Sequence, residues 1–144
     1  MRISLVWVGR TKSRATTLWT EEYLERLRGF ARWAAVAGEE LRGRDPERAL
    51  LQRARGARLW LLDPAGRAFT SPDFAAFLQR EAVHPQEMLL AVGGADGFSP
   101  AVVAAAVGRL SLSPLTLSHE LARVVALEQL YRALAIWSHH PYPH

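Results

Sequence analysis

Cysteine is absent from all 144 residues. That excludes disulfides, thiolate zinc sites and cysteine nucleophiles together. Lysine is nearly absent too: of 18 Lys and Arg, only Lys12 is lysine. No apolar run approaches the roughly 20 residues needed to span a bilayer. The opening stretch, Met1-Arg2-Ile3-Ser4-Leu5-Val6-Trp7-Val8-Gly9, reads as a strand and lacks the charged, apolar and small-residue zones of a signal peptide. A cytoplasmic location is therefore expected. Neither a G-x-G-x-x-G fingerprint nor a Gly-Lys-Ser/Thr phosphate loop occurs, so ordinary dinucleotide and P-loop sites are not indicated.

What is present describes one globular domain, residues 1–144, with 49% hydrophobic and 22% charged residues. The net charge of +4 is unevenly placed. Residues 1–60 carry 13 Lys and Arg against 7 Asp and Glu; residues 61–144 carry 5 against 7. A positive half fits a phosphate-rich partner such as RNA. The preference for arginine suits bidentate phosphate contacts, and is equally what a GC-rich coding preference produces.

Strand-like and helix-like runs alternate, which predicts an α/β fold with a mostly parallel sheet and helices on both faces. Strands are expected at 3–8, 34–37, 58–62, 88–92 and 109–113. Helices are expected at 17–33, 46–55, from Ser71-Pro72, from Ser99-Pro100 to Val107, and from Ser118 or His119 to Trp137. Ser71 is the expected cap of the third helix, and Asp63-Pro64-Ala65-Gly66 the expected turn ending the third strand.

Two loops stand where open α/β sheets place ligands. Gly93-Gly94-Ala95-Asp96-Gly97 follows a buried-looking strand. It either admits a ligand close to the backbone or makes a tight turn at positive φ. Leu112-Ser113-Pro114-Leu115-Thr116-Leu117 is unusually apolar for a connection. It either packs beneath itself or walls a pocket for a flat ring. The last helix has few polar positions: His119, Glu120, Arg123, Glu128, Gln129 and Arg132. Helical spacing sets His119 and Arg123 on one side and the i,i+4 pair Glu128–Arg132 on roughly the opposite side. No wide solvent face remains, which suggests a subunit interface as well as a core. The Glu128–Arg132 pair is also open to a purely structural reading. Three of the five histidines lie in the tail Ser138–His144. No acidic or cysteine ligand is spaced with them, so no metal is expected.

Taken together, several segments resemble the RlmH family of SPOUT-class methyltransferases. They are Gly93-Gly94-x-x-Gly97-Phe98-Ser99-Pro100, Ser111-Leu112-Ser113-x-Leu115-Thr116-Leu117-x-His119, Arg123-Val124, Glu128-Gln129-x-Tyr131-Arg132-Ala133 and His140-Pro141-Tyr142. Val6-x-Val8-Gly9 and Leu62-Asp63-x-x-Gly66 also fit, so the resemblance spans essentially the whole chain. It implies a SPOUT-type parallel-sheet sandwich with a C-terminal trefoil knot, a topology that ordinary connection rules argue against. It also implies a homodimer using S-adenosyl-L-methionine to methylate N3 of a pseudouridine in the helix 69 loop of 23S rRNA, on the assembled 70S ribosome. Neither membrane nor DNA is implied as a partner. The cofactor is expected against Leu62, Gly93, Leu112, Ser113, Pro114, Leu115, Thr116 and Leu117. The family's tail usually reads His-Pro-Tyr-His and then a basic residue, whereas Pro143 and His144 stand here. Ser118 replaces a common Pro.

The chemistry agrees with the residues. Methylation at a pyrimidine C5 usually needs a cysteine adduct; without cysteine, a ring nitrogen or ribose oxygen is favoured. N3 must lose its proton before it can attack a methyl group, and Glu128 and His119 are the candidate acceptors. Arg132 is the candidate to stabilise the imide anion or hold a phosphate. Tyr142, with His140, is expected to close over the base across the dimer. A non-catalytic RNA-binding factor and a knotted tRNA methyltransferase are the alternatives.

Overall fold

Five runs, of which the central Met88-Leu89-Leu90-Ala91-Val92 is wholly apolar, become the strands of one parallel sheet. The computed structural model describes residues 1–142. Strands β1 (Arg2–Val8), β2 (Ala35–Leu41), β3 (Arg58–Ala68), β4 (Met88–Val92) and β5 (Gly108–Ser111) lie in the order β2-β1-β4-β3-β5. Every ladder between them is parallel. Central β4 is buried at all five positions, as a strand covered on both faces must be. Helices α1 (Arg14–Leu27), α3 (Ser71–Glu81) and α5 (His119–Trp137) cover one face; α2 (Pro46–Arg53) and α4 (Pro100–Ala105) cover the other. Among the described residues no helix is long and apolar enough to cross a membrane. Pro143 and His144, where the sequence departs from the pattern it otherwise resembles, lie outside the described residues.

The α/β expectation holds, and four local expectations are corrected. First, α1 stops at Leu27 instead of running to Trp33. A 3-10 turn, Arg28–Phe30, containing Gly29 follows and drops Phe30 into the core, glycine being a poor helix former. Second, β2 runs to Leu41, because pairing with β1 along its whole length overrides the low strand propensity of Gly38-Glu39-Glu40. Third, Thr70 rather than Ser71 caps α3: its hydroxyl accepts from Asp73 N at 3.2 Å. Ser71 Oγ is thereby left to donate to Gln129 Oε1 at 3.4 Å.

Fourth, Asp63–Gly66 does not end β3. Leu62 and Arg67 both pair with Leu110, so residues 63–66 leave the ladder as a wide bulge and the strand then resumes. Asp63 shapes that bulge by accepting from Ala65 N at 2.8 Å, a local turn contact typical of Asp. Gly66 passes against the β5 backbone: a methyl group there would stand 2.6 Å from the Arg109 carbonyl carbon.

The last helix ends with a backward turn. His139 N donates to Ile136 O (3.2 Å) and His140 N to Ala135 O (2.8 Å), the paired bonds of a Schellman cap. His139 occupies the left-handed position with φ 57°, where glycine is the relaxed choice. Replacement His139→Gly is expected to raise the unfolding free energy by about 1 kcal/mol, read from urea denaturation midpoints.

Candidate active site

Because all strands are parallel, their carboxyl ends share one edge, and a pocket of about 470 Å³ opens there beyond β3, β4 and β5. Its volume is in the range of small-molecule sites. Leu62, Asp63 and Pro64 from the β3 bulge form one side, and Val92, Gly93 and Gly94 the floor. Leu112, Ser113, Leu115, Thr116 and Leu117 form the opposite wall, and His119 and Ala122 of α5 the rim. Seven of the eight expected cofactor residues thus line one cavity. The exception is Pro114, which is exposed. Ser113 Oγ accepts from Leu115 N at 3.0 Å and Ser113 O accepts from Ser111 Oγ at 3.1 Å, a tight turn that throws Pro114 outward.

The tight-turn reading of the glycine loop holds at Gly97, and Gly93, Gly94 and Gly97 line the pocket. Gly97 has φ +71°, and its N–H donates to Gly94 O at 3.2 Å, closing a tight turn. At Gly93 a methyl group would stand 2.9 Å from the Phe98 ring, so the missing side chain lets that ring pack against the end of β4. Five apolar walls, Leu62, Val92, Leu112, Leu115 and Leu117, around exposed loop backbone suit a flat heterocycle carrying polar edges.

Glu128, Arg132 and Tyr142 form a second group. Glu128 Oε1 accepts from Arg132 Nη2 at 2.6 Å and from Tyr142 OH at 3.2 Å, and Oε2 accepts from Gln129 Nε2 at 2.6 Å. The Arg132 guanidinium lies 4.5 Å over the Tyr142 ring, and Tyr142 packs edge-on against Tyr131 at 4.7 Å. Burial, then the Tyr23 hydroxyl and the Glu128 charge, hold the Tyr142 phenol well above its ordinary pKa, so it stays a hydrogen-bond donor. This group lies beside a cleft lined by Ser71, Pro72, Arg132 and His140. From His119 to Glu128 is nine residues, about 14 Å along the helix axis. Within one chain, the expected catalytic residues therefore divide into His119 at the pocket and the Glu128 group further along α5.

The family described as predicted SPOUT methyltransferase matches residues 1–144. The chain belongs to the SPOUT methyltransferase family. Relatives named ribosomal RNA large subunit methyltransferase H include one from Geobacter sp. (strain M21), 38% identical over 153 residues. Another, from Gloeobacter violaceus, is 41% identical over 152 residues. Each alignment spans 100% of this chain and 99% of the relative. Among solved structures, a probable methylase family protein from Haemophilus influenzae aligns with TM-score 0.53 and 10% identity, covering 99% of this chain and 71% of that one. A putative methyltransferase from Legionella pneumophila, solved with bound SAM, aligns with TM-score 0.50 and 15% identity over 92% of this chain and 66% of that one. At such identities the likeness is one of fold.

In this SPOUT methyltransferase, sequence reasoning missed the part played by Asp63 and Pro64, whose turn-like composition hid their place on a pocket wall. It also missed the depth of Arg123. That side chain is 2% exposed; Nη1 donates to Thr11 Oγ1 at 2.6 Å and the guanidinium lies 4.0 Å over Trp7. Burial lowers its pKa, opposed by Glu120 and Glu40. One signal was available: Arg123 falls on the apolar side of α5, where a charge must have a built environment.

Proposed function

We propose that this protein is an S-adenosylmethionine-dependent methyltransferase of 23S rRNA, acting on N3 of a pseudouridine in the helix 69 loop of the assembled ribosome. The observation that carries it is the strand-end pocket: the loops that support the family assignment supply its floor and one wall. Full-length identity of 34–41% to the relatives named for the large-subunit rRNA supports the substrate class. S-Adenosylmethionine, when bound, supplies an electrophilic methyl group on a sulfonium. Leu62, Leu112, Leu115 and Leu117 would hold its adenine, and Gly93, which lines the same cavity, would present its backbone to it. In this reading the loops beyond β3 and β5 belong to a trefoil knot.

The protein's own work is orientation and charge control. His119, exposed on the rim with a side chain that makes no hydrogen bond among the described residues, would take the N3 proton as the N–H bond breaks. Arg132 would then face the imide negative charge. Glu128, already accepting from three donors, would fix the Arg132 fork rather than act first as a base. Because Arg132 and Tyr142 stand about 14 Å or more from His119, they would meet the pocket of a second copy. A homodimer is supported by α5 itself: Leu121 (56%) and Ile136 (39%) remain exposed on a helix whose other face is core, as does Leu18 (56%) on neighbouring α1.

The test is labelled methyl transfer from S-adenosylmethionine to purified 70S ribosomes lacking the modification, beside free rRNA and tRNA. The expected product is a methylated pseudouridine in 23S rRNA. Ribosome binding without transfer to any RNA would instead favour a non-catalytic factor.

A further inference from the structure

We propose that the loops after β1 and β2, with the first turns of α1 and α2 that follow them, are the RNA-phosphate track of this protein, with Arg10, Lys12, Arg14, Arg44 and Arg48 as the contacting cations. The identity of the polyanion rests on the rRNA reading above. Strand order sets these loops on the carboxyl edge next to the pocket: β1 is one strand from β4 and β2 is two, a span of about 10 Å. All five side chains are exposed, and none forms an ion pair among the described residues.

Neighbouring carboxylates are directed elsewhere. Asp45 Oδ1 accepts from Arg48 N (3.1 Å) as the cap of α2. Glu47 Oε2 accepts from Ser99 N (2.8 Å), and Glu120 Oε1 from Ser13 N (3.0 Å). Glu40 pairs with Arg42. These same bonds stitch the track to the pocket. Glu47–Ser99 ties the first turn of α2 to the end of the Gly93–Phe98 floor loop. Glu120–Ser13 and Arg123–Thr11 tie the β1 loop to the first two turns of α5, which begin at His119. Gly9 N donates to Leu41 O at 3.4 Å and joins the two loops. Buried Arg123 thus acts as a positioning residue: it holds the cationic loop at a set distance from the rim. A backbone laid across the five cations is guided toward the pocket, which needs only one base of the strand to enter.

The experiment measures binding to unmodified 70S ribosomes by sedimentation across a salt titration, with cofactor affinity measured separately. The variant R10Q/K12Q/R14Q/R44Q/R48Q is expected to bind ribosomes about 10-fold or more weaker, with a salt slope shallower by about 3. Its cofactor affinity stays that of the wild type. Lysine at the four arginine positions keeps most of the binding. The control R2Q/R55Q/R80Q neutralises exposed cations at the opposite, amino edge and is expected to bind as wild type does. Should the fivefold variant fold poorly, R10Q/K12Q/R14Q and R44Q/R48Q separately are expected to lose part of the slope. Unchanged ribosome affinity and slope in these variants overturns the track, as does an equal loss in the control or no ribosome binding by the wild type. A wild type that binds through the track but transfers no methyl group overturns the enzymatic reading instead.

Discussion

Replacement Arg132→Met is expected to lower the rate constant for methyl transfer by about 10²–10³-fold, the range found when one preorganised donor to a developing anion is removed. KM for ribosomes should move by only a few-fold. That split decides between two roles. An arginine that faces the imide anion acts in the transition state and shows in kcat, whereas one that holds a phosphate acts throughout and shows in KM. Arg132→Lys is expected to recover only part of the rate, because lysine keeps the charge but loses the planar fork that Glu128 Oε1 holds at 2.6 Å. Glu128→Gln should lower the rate in the same direction by releasing that fork. Stability should change by less than about 1 kcal/mol, since the pair is an i,i+4 contact still about one-fifth exposed on both side chains. Full activity of Glu128→Gln on ribosomes would remove Glu128 from the chemistry. Cofactor affinity should change little in all three variants, because none of these residues lines the pocket of its own chain and in the proposed dimer they face the base rather than the adenine.

Replacement Gly66→Ala is expected to destabilise the fold by about 2–3 kcal/mol and to weaken S-adenosylmethionine binding by at least about 10-fold. The added methyl group would meet Arg109 C at 2.6 Å, Leu110 N at 2.7 Å and Arg109 O at 2.8 Å. All three are backbone atoms of β5, so no side chain can swing aside. Relief requires β5 to move away from β3. Because β5 leads directly into Leu112–Leu117, that movement carries the apolar wall of the pocket with it. Gly29→Ala is the matched control: it meets nothing within 4 Å and lies far from the pocket in sequence and fold. It should leave both quantities near their wild-type values. Thermal denaturation and isothermal titration with S-adenosylmethionine read the two effects. Equal cofactor affinity in Gly66→Ala and wild type would separate the bulge from the site.

Much of this architecture is legible along the chain because its causes are local. Alternating strand and helix runs predict the parallel sheet. The caps at Ser99 and Ser118 arise from hydroxyls that accept from backbone N–H groups three residues on. The apolar loop 112–117 and the glycines at 93–97 announce a ligand edge, and the i,i+4 spacing of Glu128 and Arg132 announces their pair. What the chain alone could not decide depends on partners distant in sequence. The β3 bulge exists because Leu110 accepts two registers of the same strand. Thr70 rather than Ser71 caps α3, and the Ser71 hydroxyl bonds instead to Gln129, 58 residues away. The burial of Arg123 depends on Thr11, 112 residues earlier. Helical periodicity states which side of α5 a residue occupies but not what stands opposite it. Only the tertiary structure could therefore set His119 on a cofactor-sized pocket and hold Arg132 and Tyr142 apart from it.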